Sequence, residues 1–486
     1  MSKERFTAVI IGTGFSGLAM AIKLKEKGIH DFIILEKAKA IGGTWRENTY
    51  PGAECDVPSA LYSYSFAPYT FWEYKWSKQP QILEYIKHVV SKYDLEKHIE
   101  YEKEMLGADW DDNKGIWITA TKDGISYESK FLISAIGQLH HPSIPEFNGR
   151  SKFKGPSWHS AQWNHDIDLK YKTIGVIGNA ASAVQFIPEI AKEASKVVVF
   201  QRSANWVLPK RGRAYKEWEK KLVENFPVLL KIYRFRLWLL GGGLFFLMKN
   251  GNSGLRKMYQ NRTLNFIKRH INDPEKIKAL TPTYPLGAKR VLFSDYYYPT
   301  LALENVSLIT ENLKEITPSG VKTKDDKEHI LDALVFSTGF KTNPFLQGLD
   351  IKGKNGISIR EYWKNELKNY LGMTVCNFPN LFIMYGPNTN LGHNSILIMS
   401  EAQASYIAQC ASALENQGWK SMEIRESALN EYHENSQERL NNMIWAQVDN
   451  SWYRSDNGNI PNNYPGRTME YMWATRKVKF DDYILR

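Results

Sequence analysis

Twice in this chain a short apolar run opens directly onto a turn of small residues and then onto a helical pattern, and that constrains the fold more than any other feature. In the first instance Ala8-Val9-Ile10-Ile11 leads into Gly12-Thr13-Gly14-Phe15-Ser16-Gly17 and then Leu18 to Leu24. This is strand, G-x-G-x-x-G, helix. Gly12 permits the tight turn, Gly14 lets the backbone of Phe15 and Ser16 approach a pyrophosphate, and Gly17 lets the helix pack on the strand with its N-terminus toward the anion. A second strand, Phe32 to Leu35, ends in Glu36-Lys37, and Glu36 stands 19 residues after Gly17, where a carboxylate can accept hydrogen bonds from ribose hydroxyls.

In the second instance Thr173 to Ile177 leads into Gly178-Asn179-Ala180-Ala181-Ser182-Ala183. Of the three usual glycines only Gly178 remains. Ala183 is tolerated at the third position, whereas a methyl group on Ala180 pushes the backbone away from a phosphate, so the nucleotide sits differently or binds less tightly here. The next strand, Lys196 to Phe200, ends in Gln201-Arg202-Ser203 rather than an acid. Arginine pairs with a 2′-phosphate that a carboxylate would repel, which favours NADPH over NADH; the competing reading of Arg202 is a solvated charge at a strand end. The expected class is therefore α/β, with two Rossmann-like dinucleotide-binding domains.

With 486 residues the chain holds roughly three domains' worth of sequence. Cys55, Cys376 and Cys410 form no C-x-x-C pair, and no His cluster has metal-ligand spacing, so neither a dithiol relay nor a metal site is expected. The net charge of +11 raises nucleic acid as a partner, but Lys and Arg are spread along the chain among acids, and anionic cofactors account for some of that charge. No signal-like segment opens the sequence, so a cytoplasmic location is expected. The longest apolar run, Leu237 to Met248, has 12 residues, too few to span a bilayer, which needs about 20. A buried helix of a cap domain is the expected reading of that run; peripheral docking of 226–250 on a membrane surface, with basic residues beside an apolar face, is the alternative.

Between the two nucleotide units stands Phe153-Lys154-Gly155-Pro156-Ser157-Trp158-His159-Ser160-Ala161-Gln162-Trp163. Its form, F-x-G-x-x-x-H-x-x-x-W, resembles the fingerprint of the Baeyer–Villiger monooxygenases, although Asn164 stands where that family usually has Pro or Asp. Gly42-Gly43-Thr44-Trp45, Tyr50-Pro51-Gly52-Ala53-Glu54-Cys55-Asp56 and the run Tyr284 to Lys289-Arg290 resemble further segments of the family. So do Ser337-Thr338-Gly339, the stretch Phe378 to Asn388 and a C-terminal loop around Trp452, and the resemblance extends from about residue 7 to 473.

The resemblance implies FAD in the first unit, with Gly43, Thr44, Trp45, Asp56, Tyr62 and Asn388 among its contacts. It implies NADPH in the second, held by Arg202 and Lys289 and covered by the Trp452 loop. Arg290 is then the active-site arginine, oriented by Asp56. NADPH reduces FAD, dioxygen adds to the reduced flavin, and Arg290 stabilises the peroxy anion that attacks a ketone to give an ester or lactone. Phe153, Gly155, His159 and Trp163 are expected to act as a hinge that senses the cofactor, not as acid–base groups, and His393 to be structural or to line a pocket. Three alternatives stay open: a flavin monooxygenase acting on sulfur or nitrogen, an NADPH-dependent flavoprotein reductase or oxidase, and a cofactor-sensing regulator without activity. The expected organisation is 1–145 with 373–486 for FAD, 153–209 with 286–372 for NADP, and a helical insertion over 210–285.

Overall fold

The computed structural model describes residues 3–251, 253–342, 345–447 and 458–486. Strands form where the apolar runs lie, and alternation along each run builds a core on both faces. In the strand Lys3–Ile11, Ala8 and Ile10 enter one apolar layer while Val9 and Ile11 enter another, because successive side chains leave a strand on opposite sides. The first sheet has a parallel centre in the order Ile99–Glu100, Phe32–Leu35, Lys3–Ile11, Ser126–Ser134, Leu381–Ile383. An antiparallel meander of Met105–Asp111 and Ile116–Thr121 continues from the N-terminal half of Ser126–Ser134. Helices Phe15–Glu26 and Ile396–Gln417 cover the face that holds Ala8 and Ile10.

The second sheet is parallel throughout, in the order Val306–Ile309, Lys196–Phe200, Thr173–Ile177, Ala333–Phe336, Ser157–His159. Val197 and Val199 pack with the helix Ala181–Ile190, whereas Val198 and Phe200 face Ile316 and Val321 of a small antiparallel sheet. Both faces are covered, which is why these strands read as unbroken apolar runs. The run between the two nucleotide units supplies the edge strand Ser157–His159.

Two expectations need correction. The return to the first domain comes earlier than residue 373: Asp350–Lys352 pairs with Met105–Asp111, and Phe345, Leu346, Leu349 and Ile351 join the first sheet's core. A three-residue strand carries too little periodicity to announce which sheet it serves. The insertion is helical, with Glu217–Asn225, Pro227–Leu244, Gly254–His270 and Pro274–Leu280, but its apolar run is not a buried helix. Phe245, Leu247 and Met248 are buried, while the helix Pro227–Leu244 buries only Leu230. That helix is seated by polar anchors. Arg234 Nη1 donates to the carbonyls of Ala60, Leu61 and Ser63 at 3.0, 3.0 and 2.7 Å, and Asn394 Nδ2 donates to the Trp238 carbonyl at 3.1 Å. No helix among the described residues is long and apolar enough to cross a membrane.

Candidate active site

The first nucleotide turn leaves a bare backbone floor. Gly12 takes φ +103° and its N–H donates to the Leu35 carbonyl at 2.8 Å. A Cβ on Gly17 would stand 1.9 Å from the Gly12 carbonyl oxygen, so only hydrogen fits there, and one on Gly43, which takes φ +51°, would press on Gly14 Cα at 3.1 Å. The helix that follows begins without a side-chain cap and without an acid in its first turn, leaving its positive end uncompensated. Beside the turn, Trp45 Nε1 donates to the Tyr62 hydroxyl at 3.0 Å, and the Tyr62 ring meets the Phe15 ring edge-on at 5.3 Å. Thr44 opens the one-turn helix Thr44–Glu47 that carries Trp45, and Ser16 shares a 3.1 Å hydrogen bond with Ser400.

Two of the expected first-unit contacts also make hydrogen bonds within the protein. Glu36 Oε2 accepts from Thr13 N at 3.0 Å and Thr13 Oγ1 at 2.5 Å, and its Oε1 accepts from Ala38 N at 3.0 Å and Arg46 Nη1 at 3.1 Å. A carboxylate that is 4% exposed must be compensated, and Thr13, Ala38 and Arg46 do this; Lys37 lies 4.0 Å from Glu47. Asn388 takes φ +57° and donates to the carbonyls of Ile460 and Asn463 at 2.8 and 3.2 Å. Its amide ties the C-terminal stretch to the first domain.

In the second turn Gly178 takes φ +99°, and a Cβ there would lie 2.3 Å from the Ser337 carbonyl oxygen. Asn179 Nδ2 bridges Gln201 Oε1 at 2.7 Å and the Ser203 carbonyl at 3.0 Å, tying the turn to the end of the next strand. Ala180 is the N-cap residue of Ala181–Ile190, Ala183 is fully buried, and the Ser182 hydroxyl lies against that of Tyr50. Arg202 stands within electrostatic reach of Lys289. Partial burial, reinforced by the Arg202 charge, pulls the Lys289 ammonium below the usual lysine value. Lys289 Nζ lies over the Tyr284 ring at 4.7 Å, and no ion pair joins it or Arg202 to a carboxylate among the described residues, so both charges are left for an anion.

The two units meet at Asp56. The loop Tyr50–Asp56 is clamped to the helix Ala181–Ile190 through Gln185, whose Oε1 accepts from the Tyr50 hydroxyl at 2.9 Å and whose Nε2 donates to the Glu54 carbonyl at 3.0 Å. Arg290 Nη2 donates to Asp56 Oδ2 at 3.0 Å. Arg290 stands two residues before Leu292 of the strand Leu292–Phe293, which pairs in parallel with Val207–Leu208. Just beyond Val207–Leu208 stands Lys210, which sequence reasoning missed. Its Nζ is 2.8 Å from Glu54 Oε1 and 3.8 Å from Asp56 Oδ1, its side chain is 3% exposed, and it lies over the Trp76 ring at 5.0 Å. Asp56 is thus gripped from both sides, by a buried lysine and by an arginine whose side chain is 48% exposed. Burial raises the Glu54 carboxyl above its ordinary value, against the lowering effect of Lys210. The only sequence signal for Lys210 is a cation set directly after Val207-Leu208-Pro209.

At the joint, a Cβ on Gly155 would stand 2.6 Å from the Asp332 carbonyl oxygen and 2.8 Å from the Phe153 ring. Trp163 packs edge-on to Trp158 at 5.7 Å and against Phe186 at 5.2 Å. His159 is 1% exposed; its Nδ1 accepts from Ala161 N at 3.1 Å, and burial lowers its pKa. It is a neutral packing group joined to the turn that follows. Asn164 Oδ1 accepts from Asp166 N at 3.0 Å, the same turn an aspartate would make, so the departure at this position preserves its physics. His393 is 7% exposed, its ring edge-on to Phe245 at 5.3 Å, and burial lowers its pKa to about 4. Trp452 lies outside the described residues.

Residues 9–225 match the family model described as pyridine nucleotide-disulphide oxidoreductase. The chain is 36% identical to a Baeyer-Villiger monooxygenase of Pseudomonas aeruginosa, over 98% of this chain and 90% of that protein. It is 35% identical to a Baeyer-Villiger monooxygenase of Streptomyces coelicolor, over 99% of this chain and 92% of that one. Among solved structures, OTEMO in complex with FAD and NADP matches with a TM-score of 0.89 and 25% identity, over 99% of both chains. Near-complete coverage in both directions, added to an arginine and an aspartate joined where two nucleotide units meet, shows that the chain belongs to the Baeyer–Villiger monooxygenase family.

Proposed function

We propose that this chain inserts one atom of dioxygen beside the carbonyl of a ketone, using FAD and NADPH and giving an ester or lactone. The observation that carries this reading is the 3.0 Å bond between Arg290 and Asp56 at the meeting of the two nucleotide units. FAD suits the first turn, where Gly12, Gly17 and the Gly14–Gly43 approach leave a floor free of side chains. NADPH suits the second, where Arg202 and Lys289 gather positive charge for a 2′-phosphate, and the relative solved with FAD and NADP supports both assignments. When bound, the two cofactors supply the redox chemistry, hydride from NADPH and activation of dioxygen by the reduced flavin.

Arg290 supplies a fixed cation for the negative charge that develops on oxygen during insertion. Asp56 aims the guanidinium, and Lys210 holds the other side of the same carboxylate so that it does not turn away. The overall balance consumes ketone, O2, NADPH and one proton, and yields ester, NADP+ and water. Thiol chemistry is disfavoured: Cys55, Cys376 and Cys410 are all buried and unpaired, and burial pushes the Cys55 and Cys376 thiols up to about 12 and about 11.

The test is product analysis under 18O2 with NADPH and a panel of cyclic and open-chain ketones. An ester carrying a single 18O atom is expected. Hydrogen peroxide with intact ketone would mark an oxidase, an alcohol a reductase, and sulfoxide without ester the sulfur- or nitrogen-directed alternative. For the nucleotide, Arg202→Ala is expected to raise the KM for NADPH by about ten- to a hundred-fold, the value of one or two charge-assisted hydrogen bonds, with the KM for NADH unmoved. Equal changes for both nucleotides would remove Arg202 from 2′-phosphate recognition.

A further inference from the structure

The helix Pro227–Leu244 is amphipathic in the inverse sense. Toward the protein it presents Arg234 and Trp238, bonded to carbonyls of Ala60, Leu61 and Ser63 and to Asn394 and Thr468. Toward water it and the residue before it hold Phe226, Val228, Ile232, Phe235, Leu239 and Leu240, each more than half exposed. Val228, Ile232, Phe235 and Leu239 recur at helical spacing and form one stripe. A stripe of this kind marks an interaction surface.

The charge around it identifies the occupant. Over the whole chain bases and acids are mixed, as the sequence suggests, but from Asn225 to Asn272 there is no Asp or Glu and there are nine Lys or Arg. Lys231 and Arg236 stand exposed among the apolar residues of the stripe, and Lys249 and Lys257 are exposed in the segment that follows. A second copy of the chain would set this acid-free segment against itself, at a cost in like-charge repulsion. Nucleic acid would satisfy the cations and leave the aliphatic side chains in water. An anionic bilayer satisfies both, with acyl chains for the stripe and lipid phosphates for Lys231 and Arg236.

We propose that this helix docks the protein peripherally on anionic phospholipid membranes. Because Arg234 fixes the helix to the segment that carries Tyr62, the face is preformed and bears on the wall of the nucleotide site. The proposal rests on exposure and charge and is independent of the reaction assigned above.

The test uses the FAD-loaded full-length protein in sucrose-gradient flotation with vesicles of phosphatidylcholine alone or with a quarter phosphatidylglycerol. Flotation with the anionic vesicles at low salt, its loss at high salt and its absence with neutral vesicles are expected. The double variant Phe235→Glu/Leu239→Glu should lower the bound fraction at least about ten-fold, and Lys231→Gln/Arg236→Gln about five-fold per charge removed, with flavin content and NADPH consumption unchanged. Three outcomes overturn the proposal: no flotation of the unmodified protein with anionic vesicles, flotation of the glutamate variant equal to it, or a solution mass of two chains that the glutamate variant reduces to one. The last would make a second copy the occupant.

Discussion

Arg290→Ala is expected to lower ester formation at least about a hundred-fold, equivalent to about 2.7 kcal/mol of lost transition-state stabilisation, while NADPH still reduces the bound flavin. The split follows from the geometry. Arg290 is the exposed member of the cluster, with its side chain 48% accessible, while Asp56 keeps Lys210 at 3.8 Å once the arginine is gone. Ion pairs with an exposed partner contribute about 0–1 kcal/mol to stability, so the melting temperature should move little and the loss of ester cannot be ascribed to unfolding. The measurements are ester yield per NADPH consumed, flavin content and thermal denaturation. If ester yield stays within a few-fold of the parent, Arg290 is not the oxygen-transfer cation. Arg290→Lys, which keeps the charge and loses the planar fork, should fall between the two.

Lys210→Met is expected to have the opposite signature, a loss of stability of about 3 kcal/mol that brings loss of flavin with it. The methionine fits the volume but removes the cation that compensates Glu54 and Asp56, whose side chains are 25% and 11% exposed. The pH dependence has a definite sign. Burial already raises the Glu54 carboxyl above its ordinary value, and Lys210 opposes that shift. A carboxyl whose folded pKa lies above its unfolded pKa contributes stability that is present below the unfolded value and lost as pH rises through the folded one. Removing Lys210 raises the folded value further, so the deficit should be largest at neutral pH and should narrow as pH falls and Glu54 takes up a proton. Denaturant titrations of both proteins at neutral and mildly acidic pH check this; a deficit that is absent, or independent of pH, would show that Lys210 is not the counter-ion of this pair of carboxylates.

The contrast between these residues also explains how much of the site was legible. Arg290, Asp56 and Arg202 sit in motifs whose neighbours declare them, and the structure brings the first two together and sets the third within electrostatic reach of Lys289. Lys210 follows a strand of two residues, and its partners Glu54 and Asp56 lie more than 150 positions away in the chain. Glu36 and Asn388 show the converse. Each has the residue type and position of a ligand contact, and its partners within the fold, Thr13 and Arg46 for one and the carbonyls of Ile460 and Asn463 for the other, could not be read from the sequence.

By itself the sequence determined what depends on local order: the strand–turn–helix units, the period-two burial of Ala8 to Ile11 and Val197 to Phe200, and the glycines whose neighbours in space are also near in the chain, such as Gly17 against Gly12. Tertiary structure alone decided the early return of Asp350–Lys352 to the first sheet, the lysine that holds Asp56, and the outward-facing apolar stripe of Pro227–Leu244. Burial and charge compensation belong to whichever surfaces the fold brings into contact. The same apolar spacing describes a helix that faces a core and one that faces away from it, and only the polar anchors at Arg234 and Trp238 determine which way this one turns.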